Sequence, residues 1–129
     1  MTDARVVLDA SALLALLHGE ASADIVVASL PQAVMSAVNV SEVVAVLAGH
    51  GMPGEAVHRA IDGLALTVAD FDAEQAYAAG LLRPATRASG LSLGDRACLS
   101  LAAHLELPVL TADRRWAELD LGLDVRLVR

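Results

Sequence analysis

The chain has 129 residues, a length that fits one domain, and 56% of them are hydrophobic, enough for a real core. With one Trp, one Tyr and one Phe, the packing falls to Ala, Val and Leu. The formal net charge is −7 and all nine basic residues are Arg, which argues against loose, charge-driven binding to nucleic acid but not against a local site where metal ions offset carboxylates and phosphates. No apolar run reaches the ~18 residues of a membrane span. Met1 to Arg5 contain no basic region leading into an apolar stretch, so no signal peptide is expected. The single cysteine, Cys98, excludes an internal disulfide, and no Cys cluster is available for zinc. A reducing, cytoplasmic setting is expected, with Cys98 as a small core residue.

The first element is decisive. Arg5-Val6-Val7-Leu8 reads as a buried strand that stops on a carboxylate, Asp9, and turns at once into a short helix over 11–18. Gly19 is the stop signal. Residues 20–30 form a second helical stretch closed by Pro31, and Ala33-Val34-Met35-Ser36 is a second strand. A helix follows over 37–47, then another over 53–64 with Pro53 in its first turn. Residues 66–69 read as a strand. Residues 72–88 read as a helix broken near Pro84. A turn over 90–94 leads into a long helix over 95–106, a strand over 108–111, a short helix over 113–119 and a last strand over 125–128. Strands and helices alternate throughout. Most strands are continuous short apolar runs, the pattern of a parallel sheet covered on both faces.

Four acids sit in apolar company. Asp9 follows Val-Val-Leu, and Glu42 stands among Val40, Val43, Val44, Val46 and Leu47. Asp95 opens a helix rich in Ala and Leu, and Asp113 comes two residues after the apolar strand 109–111. Each has a local alternative. Asp9 or Ser11 can cap the first helix, Asn39 to Glu42 matches a capping box, Ser92 to Asp95 is a weaker version, and Asp113 can cap the turn after it. Taken together, however, all four belong to one edge of a parallel sheet, where ligands bind. Four converging carboxylates repel one another unless a hard cation such as Mg²⁺ or Mn²⁺ lies between them. The four His show no i, i+4 pairing and no nearby Cys, which argues against zinc. There is no phosphate-binding Gly-rich loop and no G-x-S-x-G elbow.

Four segments carry a resemblance: Val7-Leu8-Asp9-Ala10-Ser11-Ala12-Leu13, Met35 to Val43, Gly90 to Ala97, and Val109-Leu110-Thr111-Ala112-Asp113. In this order and spacing the chain resembles a PIN domain, most closely the VapC-type ribonuclease toxins of bacterial toxin–antitoxin pairs. The resemblance implies a single domain over residues 1–129, a three-layer α/β/α sandwich around a parallel sheet of about five strands. It implies a Mg²⁺- or Mn²⁺-dependent endoribonuclease acting on RNA, with Asp9, Glu42, Asp95 and Asp113 as catalytic acids and metal ligands. Asp9 and Asp95 are the positions such toxins most often use for direct metal contact. Ser11 and Thr111 fall where hydroxyls help to hold the acids or the water, and Asn39 is a further supporting candidate. Such toxins usually dimerise and are silenced by an antitoxin whose C-terminal segment enters the groove. Arg96, Arg114 and Arg115 are candidates for contact with RNA phosphate or with an acidic antitoxin residue, and a solvated or structural role for Arg96 is equally open. Trp116 is expected to pack the last helix rather than stack on a base. The alternatives are a catalytically silent binding module and a metal-dependent phosphatase, although Ser11 replaces the second acid of the usual phosphatase Asp-x-Asp.

Overall fold

The computed structural model describes residues 4–128; the leaderless start expected at Met1 to Asp3 lies outside them. Five strands, β1 (Val6–Leu8), β2 (Ala33–Ser36), β3 (Thr67–Ala69), β4 (Val109–Thr111) and β5 (Val125–Leu127), form one parallel sheet in the order β3-β2-β1-β4-β5. Helices α1 (Ala10–Leu17), α2 (Ala23–Ser29), α3 (Ala37–Gly49), α4 (Gly54–Asp62), α5 (Ala73–Leu81), α6 (Arg83–Thr86) and α7 (Leu93–Leu105) connect them. The α/β sandwich expected from the sequence is therefore present, with β1 at its centre.

Side chains alternate along each strand, and this splits the core in two. Val6 and Leu8 of β1, Met35 of β2 and Leu110 of β4 pack with Leu13, Val26, Val43, Leu47 and Val57 from the helices α1 to α4. Val7, Val34 and Val109 point the other way, onto Cys98, Leu99, Leu101 and Ala102 of α7 and onto Trp116. Each inner strand is buried on both faces, which is why its residues read as unbroken apolar runs. Helix α5 lies over α7. Two polar ties hold the pair: Ser100 Oγ donates to Gln75 Oε1 at 3.1 Å, and an Arg96 nitrogen donates to the Ala79 carbonyl at 3.1 Å.

Element bounds moved where local chemistry outweighed the pattern. The long helix starts at Leu93, not Asp95, because Ser92 is its cap, accepting from the Asp95 N–H. The expected helix over 72–88 is three pieces: α5, α6 with Pro84 in its first turn, and a 3₁₀ turn over Arg87–Ser89. Residues Arg114–Glu118 form a 3₁₀ turn rather than an α-helix.

Trp116 is fully buried in the second core cluster, in the packing role expected of it. Replacing it by Ala removes the largest buried side chain. Trp116→Ala should lower unfolding stability by about 3–5 kcal/mol, measured by urea denaturation.

Candidate active site

The strand order reverses direction at β1: the chain moves outward through β2 and β3, then crosses back to β4 and β5. This switch point opens a crevice beyond the carboxyl ends of β1 and β4, where ligands of open α/β sheets bind. Asp9 follows β1, and Thr111 ends β4 two residues before Asp113. A cleft of about 590 Å³ there is lined by Ser11, Ala112, Asp113 and Arg114.

Asp9 forms the floor. It is the N-cap of α1 and accepts the Ala12 N–H at 2.9 Å. Ser11 Oγ donates to it at 2.8 Å, and Thr111 Oγ1 donates to its Oδ2 at 2.6 Å. Ser11 Oγ also accepts the Ala112 N–H at 2.9 Å, and Thr111 Oγ1 accepts the Asp113 N–H at 3.0 Å. Two hydroxyls thus tie the end of β1 to the loop after β4. No cation pairs with Asp9 among the described residues. Burial pushes its carboxyl up from the ordinary 3.8 to about 6; the hydrogen bonds from Thr111, Ala12 and Ser11 pull it down, and the charge of Asp95 adds to the rise.

Three of the four acids, Asp9, Asp95 and Glu42, lie near enough to Cys98 for their charges to act on its thiol. The Cys98 thiol, fully buried on α7, is raised well above its ordinary range, by burial first and then by the charges of Asp9, Asp95 and Glu42. Asp95 carries a capping box at the start of α7, its Oδ2 accepting the Ser92 N–H at 2.9 Å. Glu42 lies in the body of α3, where Asn39 Nδ2 donates to its Oε1 at 2.8 Å and to the Gly94 carbonyl at 2.9 Å. The capping box expected at Asn39 to Glu42 is absent. Ser36 caps α3 instead, accepting the Val38 N–H, so Asn39 already lies inside the helix and uses its side chain to reach α7. Asp113, the fourth acid, accepts the Arg115 N–H at 3.0 Å and caps the 3₁₀ turn. The Arg115 guanidinium holds its carboxyl below the ordinary value.

Sequence reasoning missed Gly94. A methyl group on Gly94 would overlap the Glu42 carboxylate, so the glycine is what lets that carboxylate lie against the first turn of α7. A Gly in the first turn of a helix, one residue before an acid, was the available signal. The three arginines part company. Arg96 turns to α5, the structural role, while Arg114 lines the cleft and Arg115 holds acids.

The donor set is all oxygen, with Asp9, Asp95 and Glu42 as the carboxylates and no soft ligand exposed, which fits a hard divalent cation. Among the described residues no three His, Cys, Asp or Glu side chains stand close enough together to hold an ion. Mg²⁺, which keeps several waters, needs only one or two carboxylates.

The family model for the PIN domain matches residues 6–121. The chain belongs to the PIN domain family. The fold of this PIN domain is shared with solved structures at low identity. One is described as a toxin–antitoxin complex from Klebsiella pneumoniae (TM-score 0.75, 19% identity, covering 96% of this chain and 98% of that one). Another is DNA-bound VapBC from Salmonella typhimurium (TM-score 0.73, 16% identity, covering 98% and 99%). A third is VapBC-5 from Mycobacterium tuberculosis (TM-score 0.61, 22% identity, covering 98% of each chain). No curated protein matches the chain.

The raised carboxyl of Asp9 has a consequence for stability. Folded Asp9 keeps its proton up to about pH 6, whereas the unfolded chain loses it near 3.8. Folding therefore loses stability as pH rises through that window, by about 3 kcal/mol once Asp9 is ionised. In chelator, Asp9→Asn should be more stable than the wild type at pH 7.5, by about 1–3 kcal/mol, with the advantage shrinking toward zero near pH 4. Urea unfolding at the two pH values checks this.

Proposed function

We propose that this PIN domain is a Mg²⁺- or Mn²⁺-dependent endoribonuclease, the toxin of a type II toxin–antitoxin pair. The observation that carries the reading is Asp9: a buried carboxylate with no cationic partner among the described residues, under the charge of Asp95, at the switch point of the sheet. Likeness in fold to structures described as toxin–antitoxin and VapBC complexes supports an antitoxin as partner. Membership of the PIN family supports hydrolysis of a nucleic-acid backbone. A homodimer, a single domain over 1–129 and a cytoplasmic location belong to the same proposal. Among the described residues no helix is long and apolar enough to cross a membrane.

In this mechanism Asp9 and Asp95 would hold the cation, which would supply charge withdrawal at a phosphate oxygen and a lowered pKa of water. Thr111 and Ser11 fix both oxygens of Asp9, so the ligand needs little reorganisation. Glu42, steadied by Asn39, orients the attacking water or takes its proton, a role Asp113 can share. In-line attack leaves a 5′-phosphate and a 3′-hydroxyl. Arg114 is exposed on the cleft wall and has no ion pair among the described residues, which supports a contact with a backbone phosphate.

The decisive test is cleavage of RNA with Mg²⁺ present. Asp9→Asn and Asp95→Asn should each slow cleavage by more than ~100-fold, and a chelator should stop the wild type. Undiminished cleavage by both variants, or in chelator, contradicts the reading. Hydrolysis of a small phosphomonoester in preference to RNA would favour a phosphatase instead. Gly94→Ala offers a finer check, because the methyl meets only the flexible end of Glu42. The variant should fold with little change in melting temperature and lose roughly tenfold or more in cleavage rate.

A further inference from the structure

Asp113 is held by an arginine that does more than a neighbouring side chain need do. Arg115 Nε donates to both Asp113 oxygens at 3.1 Å, and Nη2 lies 2.6 Å from Oδ2. The same Nη2 is 3.9 Å from Asp95 Oδ2. Nη1 donates to the Ser89 carbonyl at 3.3 Å, lying over Gly90, a left-handed residue with φ 66°. Another Asp-x-Arg pair in this chain shows what the spacing alone produces. Among the described residues Arg126 reaches one oxygen of Asp124 and no second acid or carbonyl. Arg115 therefore bridges two acids from different elements, the start of α7 and the end of β4, and anchors on a third segment.

We propose that Arg115 is a built-in counter-ion of the site, whose guanidinium spans Asp95 and Asp113 at the rim and must yield when a divalent cation enters. This rests on reading the four acids as a cation site. Arginine stays protonated at every accessible pH, so the bridge is released by competition and not by titration. It holds Asp113 and Asp95 against their mutual repulsion while the site is empty of metal. It also opposes an incoming divalent ion, by its own charge and by engaging ligand oxygens. The side chain is half exposed, so the pair is weak enough to give way. The consequence is a site with reduced affinity, filled at higher cation concentration than the same acids would require alone.

Titration of the full chain with Mn²⁺ by calorimetry tests this. Arg115→Ala and the bulkier neutral Arg115→Gln should bind Mn²⁺ roughly three- to tenfold more tightly than the wild type. Equal or weaker binding by the folded variants overturns the proposal, as expected if Arg115 only anchors the 87–90 segment. If the wild type binds Mn²⁺ and Asp9→Asn does not, the cation-site reading survives that failure. If neither the wild type nor the Arg115 variants bind, both readings fall together. A second measurement uses the wild type alone: saturating Mg²⁺ should shift the Arg115 Nε–H resonance, and an unmoved resonance overturns the bridge.

Discussion

The desolvation of one carboxylate governs this molecule. Asp9 is almost fully buried, its oxygens face two hydroxyls and one backbone N–H, and no cation among the described residues neutralises it. A buried charge without a partner costs several kcal/mol, and the raised carboxyl pKa records that cost. A protein keeps such a group when something else compensates for it. The charge of Asp95 nearby makes matters worse without a cation and favourable with one.

The fold supplies that convergence through its topology. Reversal of the strand order at β1 leaves the carboxyl ends of β1 and β4 side by side with a crevice between them. The N-terminal parts of α3 and α7 close in from the flank, tied by Asn39, with the missing side chain at Gly94 leaving room for the Glu42 carboxylate. Three arginines near this edge divide the work: Arg96 braces α7 against α5, Arg114 faces the cleft, and Arg115 spans the outer acids. An acidic chain thus keeps a small cationic rim around an acidic centre.

Much of this was legible in the sequence, for physical reasons. Unbroken apolar runs in alternation with helices belong to a two-sided parallel sheet, and an acid closing such a run stands out because its burial is costly. The cap chemistry was less legible. Ser92 to Asp95 formed the box that the pattern suggested, whereas Asn39 to Glu42 did not, because an extended Ser36 capped α3 first. Local pattern cannot rank two caps when the backbone preceding them is undetermined. The contacts of Gly94 with Glu42 and of Arg115 with Asp95 and Ser89 join residues distant in the chain, so no local pattern encodes them. A cap and a candidate site acid are also not exclusive here: Asp9, Asp95 and Asp113 all hold helix or turn ends.

The most direct measurement is the titration of the Asp9 carboxyl by carbon-13 NMR, with and without Mg²⁺. A desolvated ligand of a cation site titrates near pH 6 in chelator and moves sharply downward when Mg²⁺ saturates the protein. A midpoint near 6 that Mg²⁺ leaves in place would contradict the assignment of Asp9 as a metal ligand.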